Sequence, residues 1–209
     1  MSAASTSPEI HPRTARLMAR VRAAEDADGR LALPDVTEWD IFPFEGDLRV
    51  KHLEDPVLPE PPRTGEGGRP CDSCGGGLDR AIWADDRWKL VPLRSTPIPV
   101  VLLQPLAHLD STDLDDALAA ELGVLSVRLE RILMALGGIA RVHVMKIGDG
   151  GSHLHVWFCA RPEGVLQLRG SSQSDWCDTL PPMPQDEWDA VLDEIATALA
   201  AGGGRNLRP

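Results

Sequence analysis

Two histidines alternate with apolar residues in Gly150-Gly151-Ser152-His153-Leu154-His155-Val156-Trp157-Phe158, straight after a pair of glycines. Alternation is a strand pattern, and successive strand side chains point to opposite faces. His153, His155 and Trp157 therefore share one face, and Leu154, Val156 and Phe158 share the other, the core face. Two imidazoles about 7 Å apart on one rigid face can bind a metal, act as a nucleophile, or do one job each.

Other parts of the chain carry the side chains a metal needs. Cys71-Asp72-Ser73-Cys74 is a Cys-x-x-Cys followed by three glycines. Two thiolates at that spacing can grip one zinc from a tight turn. Two further ligands must come from six histidines or from Cys159 and Cys177. His153 and Cys159 lie roughly 20 Å apart along a strand, so one ion cannot take both. Cys159 and Cys177 read most simply as small buried hydrophobes. His108 follows the apolar run Val100–Leu103 and Pro105, which holds it near a strand end.

These pieces, taken in order, resemble the histidine triad superfamily, including its galactose-1-phosphate uridylyltransferase branch. The matching pieces are Cys71-x-x-Cys74, a strand running into Pro105-x-x-His108, a helix opening at Asp113-Leu114, and a glycine loop before His153-x-His155. The resemblance covers about residues 69–165. It implies that Cys71, Cys74, His108 and His153 bind zinc. Such a closed Cys2His2 set would make the ion structural. It also implies that His155 is a nucleophile toward an α-phosphorus, giving a covalent nucleotidyl-imidazole that water or a second phosphate resolves. Attack requires a neutral imidazole, whose tautomer a backbone carbonyl can fix. The activity implied is nucleotide phosphoanhydride hydrolysis or nucleotidyl transfer, on a nucleotide or nucleotide sugar, in a family whose members are commonly homodimers.

The chain departs from the family at the third motif position, which is His or Gln there and Trp157 here. An indole donates one N–H but cannot shuttle a proton. The alternative reading is therefore a catalytically degenerate, zinc-containing nucleotide-binding module. Where the family favours Asn-x-Gly, this chain has Lys146-Ile147-Gly148; Lys146 can meet a phosphate as a point charge or stand solvated at a strand end. The backbone of Gly150, Gly151 and Ser152 can cradle phosphate, or simply make a tight hairpin turn.

The elements that must position these residues follow from hydrophobic periodicity. The expected fold is α+β: an antiparallel sheet with one long helix on its core face and a C-terminal helix. Residues 81–83 and 88–92 read as a hairpin, 98–104 as a buried strand, and 141–145 as an alternating strand. Leu114, Leu118, Leu122, Leu125, Leu129 and Leu133 give the long helix, 113–136, its apolar stripe, and Gly137-Gly138 ends it. Arg141 and His143 point toward the face of His155. Residues 166–170 and 176–184 read as loops, with Gln167 and Arg169 as candidate ligand contacts. A last helix spans 186–200. Three regions are expected: 1–68, an N-terminal helix and a proline-rich arm on which Trp39, Ile41, Phe42, Phe44, Val50, Leu53, Val57 and Leu58 are the packing residues; 69–200, the histidine-triad-like domain; and 201–209, a flexible tail. Residues 1–8 are expected to be disordered.

Composition limits the partners. The 209 residues carry a formal net charge of −11, which argues against nucleic acid. A hydrophobic fraction of 43% supports an ordinary core. No apolar run approaches the ~20 residues of a membrane span, so no membrane is expected. The first eight residues lack the apolar core of a signal peptide, and a reduced Cys-x-x-Cys fits the cytoplasm.

Overall fold

The structure, a computed structural model, describes residues 11–27, 29–33, 35–38, 44–46, 49–50, 60–94, 96–170 and 173–209. The readings made for residues 1–8, Trp39, Ile41, Phe42, Leu53, Val57 and Leu58 lie outside them, as do those for the side chains of Phe44 and Val50.

Six strands form one antiparallel sheet: β3 (Trp83–Ala84), β4 (Trp88–Pro92), β5 (Val100–Pro105), β6 (Ile139–Met145), β7 (Val156–Pro162) and β8 (Arg205–Asn206), in the order β6-β7-β5-β4-β3-β8. A separate two-stranded pair, β1 (Phe44–Glu45) and β2 (Arg49–Val50), precedes them. The helices are α1 (Pro12–Ala24), α2 (Asp72–Gly75), α3 (Asp116–Ala135), α4 (Gln173–Thr179) and α5 (Gln185–Ala200).

Alternation along the strands sorts side chains onto two faces. Leu90, Val101, Leu103, Val142, Val156, Phe158 and Ala160 pack against Leu125, Leu129 and Leu133 of α3 and against Trp188, Val191, Leu192, Ile195 and Leu199 of α5. This is the main core. On the opposite face Val100, Cys159, Trp157 and Met145 meet Leu17 and Val21 of α1, together with Leu168, Cys177 and Leu180. The sheet is thus covered on both sides. Residues 173–179, read in part as loop, form a helix, because covering the second face with Cys177 and Leu180 outweighs the weak propensity of a Ser- and Asp-rich stretch.

The long helix starts later than Asp113. Asp110 and Asp113 cap each other's backbone around a 3-10 turn, Ser111–Asp113, and Leu114 is extended. The helix then opens at Asp116, capped by the Asp115 carboxylate on the Leu118 N–H at 2.8 Å. Gly137 and Gly138, with φ of 77° and 66°, end it. The last residues, expected as a flexible tail, are tied down. Residues 205–206 pair with β3, and Arg208 reaches Asp189 at 2.9 Å and Asp193 at 2.6 Å on α5. No helix among the described residues is long and apolar enough to cross a membrane.

Candidate metal centre and nucleophile

Cys71, Cys74, His108 and His153 converge, with one ligand atom from each lying within 4.8 Å of the others. Cys71 Sγ and Cys74 Sγ each stand 3.5 Å from His153 Nδ1, and Cys74 Sγ stands 3.4 Å from His108 Nδ1. Metal–ligand bonds of 2.3 Å to sulfur and 2.0–2.1 Å to nitrogen, set tetrahedrally, require an S–N edge of about 3.6 Å. The donor set and its edges therefore fit a tetrahedral metal.

Each candidate ligand is held by its surroundings. The cysteines sit on the first turn of α2, where an i, i+3 spacing brings both thiols to one side. Lys89 of β4, 3% exposed, donates from Nζ to the carbonyls of Ser73 at 2.7 Å and Gly77 at 2.9 Å, fastening the knuckle to the sheet. His153, 4% exposed, donates from Nε2 to the Pro105 carbonyl at 2.8 Å, which leaves Nδ1 as its ligand atom. His108 Nε2 faces Ser152 Oγ at 3.3 Å, and that hydroxyl donates to the Thr64 carbonyl at 3.1 Å. Burial and the neighbouring Cys71 push the Cys74 thiol up, and burial pulls the His153 imidazole down.

His153 and His155 precede the ladder rather than sit within it. The Leu154 N–H is taken by the Leu109 carbonyl at 2.8 Å, and β7 starts at Val156. His155 is half-buried, and its Nδ1 donates to the His153 carbonyl at 2.8 Å. A carbonyl can only accept, so Nδ1 carries a proton, and in the neutral ring Nε2 is the nitrogen with the lone pair. The Trp157 indole stands edge-on to His155, with ring centroids 6.3 Å apart. Its N–H is buried and has no partner among the described residues.

The glycine loop is not a tight hairpin turn. Residues 146–155 join β6 to β7, and the stretch Arg63-Thr64-Gly65, from the proline-rich arm, straps across them. Arg63 donates to the Gly148 carbonyl at 2.7 Å, while the Thr64 N–H and hydroxyl reach the Gly150 carbonyl at 3.2 and 2.9 Å. The Ser152 N–H donates to the Thr64 carbonyl at 3.0 Å. Ser152 is 7% exposed, and its hydroxyl and N–H serve the strap and His108. The Gly150 and Gly151 N–H groups have no partner among the described residues. Lys146 Nζ lies 3.7 Å from Asp110, which Arg63 also contacts at 2.8 Å. Burial acts to raise the Asp110 carboxyl, but hydrogen bonds from the Ser111 N–H and Arg63, with the charge of Lys146, hold it below the usual range.

Beside this centre runs a cleft of about 600 Å³, lined by Ser73, Arg80, Lys89, Leu102, Gln104 and Arg94 among others. Leu103, next to Gln104 on β5, pairs with Val156, the residue that follows His155. Arg63, Thr64, Gly65, Lys89 and Gln104 were not singled out from sequence. Arg63 and Glu66 at i, i+3 around Thr-Gly signal a turn, but nothing there signals what the turn rests on.

No family model matches the chain, and no curated protein matches it. Among solved structures, it is similar to a histidine triad protein from Bradyrhizobium japonicum, with 19% identity over 57% of this chain and 89% of that one, at a TM-score of 0.48. It is likewise similar to a histidine triad protein from Marinobacter aquaeolei VT8, with 20% identity over 58% of this chain and 88% of that one, at a TM-score of 0.47. A third is a Zn-bound histidine triad family protein from Mycobacterium smegmatis, with 18% identity over 63% of this chain and 94% of that one, at a TM-score of 0.45. The structural comparison thus turns up several proteins of the histidine triad superfamily, the one that the order of motifs in this chain resembles.

Proposed function

We propose that the protein is a nucleotide phosphoanhydride hydrolase or nucleotidyl transferase that works through a covalent nucleotidyl-His155. The observation that carries this reading is the 2.8 Å hydrogen bond from His155 Nδ1 to the His153 carbonyl, which occupies Nδ1 and makes Nε2 the nitrogen that would attack. Nε2 would attack the α-phosphorus while the bond to the leaving phosphate or nucleotide breaks. Water or an acceptor phosphate would then displace the imidazole. The Gly150 and Gly151 amides would hold the phosphate oxygens, and Lys146 would add a positive charge. The indole N–H of Trp157 would serve as one more donor. The cleft past Gln104 would take the nucleoside or sugar. Cys71, Cys74, His108 and His153 would hold a structural zinc that ties the knuckle to the strand entering β7, because soft thiolates with imidazoles select that ion and the set leaves no open position.

Turnover of a panel of nucleotides and nucleotide sugars by the parent and by His155→Ala tests this. A reaction present in the parent and abolished in the variant supports it. A reaction that survives His155→Ala overturns it. Trp157 favours a second reading, a zinc-containing nucleotide-binding module without turnover, since no proton can pass through an indole. Saturable nucleotide binding with no product at any nucleotide would select that reading.

A further inference from the structure

Arg141 on β6 stands directly opposite Arg161 on β7, on the outer face of the sheet. Like charges directly opposite across an antiparallel pair are destabilising. Arg169 adds a third charge. Arg161 Nη1 donates to the Val165 carbonyl at 3.3 Å, and Arg169 Nε donates to the adjoining Leu166 carbonyl at 3.0 Å, so the two guanidinium groups hang on neighbouring carbonyls. Among the described residues no carboxylate pairs with any of the three. That is unexpected in a chain with 32 acidic residues against 21 basic ones.

The ground beneath them is polar, buried and only partly satisfied. Arg161 is 7% exposed and its Nε has no partner. Gln173 is 1% exposed, and beyond a loose contact with the His143 ring its amide makes no hydrogen bond of good geometry among the described residues. That amide lies against His143, which the register places on the same face opposite Cys159. Burial, with the charges of Arg169 and Arg141, pulls the Arg161 guanidinium down, and no carboxylate opposes it. A buried group without its partner costs free energy unless something else satisfies it.

We propose that Arg141, Arg161 and Arg169 form a second anion site, floored by His143 and Gln173, for a phosphate group carried by a small molecule or free in solution. Guanidinium forks match tetrahedral oxyanions two bonds at a time, and a dianion offsets most of the uncompensated charge. A net charge of −11 repels a long polyanion, which restricts the ligand to small anions. Arg161 lies five residues along β7 from Val156, before which His155 stands, so the two sites are roughly 20 Å apart, and Trp157 and Cys159 between them are packed in the second apolar cluster. An anion bound here therefore does not react at His155.

The test follows the His143 ring signals by NMR in the full-length protein while inorganic phosphate or methyl phosphate is titrated at constant ionic strength set with chloride. Arg141 and Arg169 are exposed, so the double variant Arg141→Gln/Arg169→Gln should fold, whereas Arg161→Gln risks the core. The parent is expected to give a saturable His143 shift. The double variant is expected to bind at least tenfold more weakly. Lys146→Gln, altered at the glycine loop, should keep the His143 response, which separates this site from any phosphate bound near His155. Methyl phosphate binding as tightly as phosphate assigns the site to phosphomonoesters, and binding of inorganic phosphate alone assigns it to free phosphate. A His143 ring that does not respond, or a double variant that binds as tightly as the parent, overturns the proposal.

Discussion

His155 donates its Nδ1 proton to the backbone carbonyl of His153, at 2.8 Å. The residue that presents one imidazole to the metal-ligand cluster thus aims the next imidazole with its main chain. Whatever fixes His153, through Pro105 and through the two thiols, also fixes the tautomer and direction of His155.

Cys71→Ser should harm folding and His155→Ala should not. The cluster ties α2 to the ends of two strands, so a lost ligand forfeits metal-coupled folding energy, several kcal/mol in comparable sites. His155 makes no ligand contact, and its removal should cost within ~1 kcal/mol. Melting curves that rank His155→Ala as the more destabilised would reject this division.

Gly65→Ala should loosen the metal ligands. Gly65 has φ of +88°, and a Cβ there would fall 2.6 Å from Ser152 Oγ and 2.7 Å from His108 Cε1. The left-handed backbone and the collision together should cost about 1–3 kcal/mol. Zinc loaded onto the Cys71, Cys74, His108 and His153 cluster should pass to a colorimetric chelator faster than from the parent. An unchanged release rate would show that the strap does not brace His108.

Much of the centre was legible in the sequence, because side-chain chemistry marks it. Cys-x-x-Cys, Pro-x-x-His and His-x-His name side chains, and alternation placed Arg141 and His143 on the outer face. The strap was not legible, because what Thr64 and Gly65 meet is largely main-chain carbonyls and amides that every residue carries. Helix α4 was missed for a related reason: seven residues give less than two turns of periodicity, and tertiary burial of Cys177 and Leu180 decides the outcome. The ordering of 201–209 rests on the pairing of residues 205–206 with β3 and on Arg208 meeting two aspartates on α5, pairings without local signal.

Acid should release the strap. Hydrogen bonds from Arg63 hold the Glu66 carboxyl below the usual range, and Asp110 is also depressed. Folded values below unfolded ones mean that both contribute stability above the ordinary carboxylate range, and that this contribution is lost as pH falls through the folded values. Arg63→Met should therefore melt a few degrees below the parent at neutral pH, with the gap closing under acid. A gap that is the same at both ends of the titration would contradict this.

Replacing Trp157 by His should matter most for poor leaving groups. General acid help contributes about 10²–10⁴-fold, and a good leaving group needs little of it. Trp157→His should raise the rate for substrates that expel an amine or an alkoxide and leave good leaving groups nearly unchanged. Equal effects on both classes would show that the indole does not stand in place of a general acid.

The covalent intermediate tests the account most directly. Parent protein mixed with nucleotides bearing good leaving groups, quenched within the first turnover and digested under mildly basic conditions, should yield a peptide containing His155 that is heavier by one nucleotidyl group. The adduct should be acid-labile, as a phosphoramidate is, and absent from His155→Ala. Product formation with no adduct at any quench time, or an adduct that persists in His155→Ala, would contradict nucleophilic catalysis by His155.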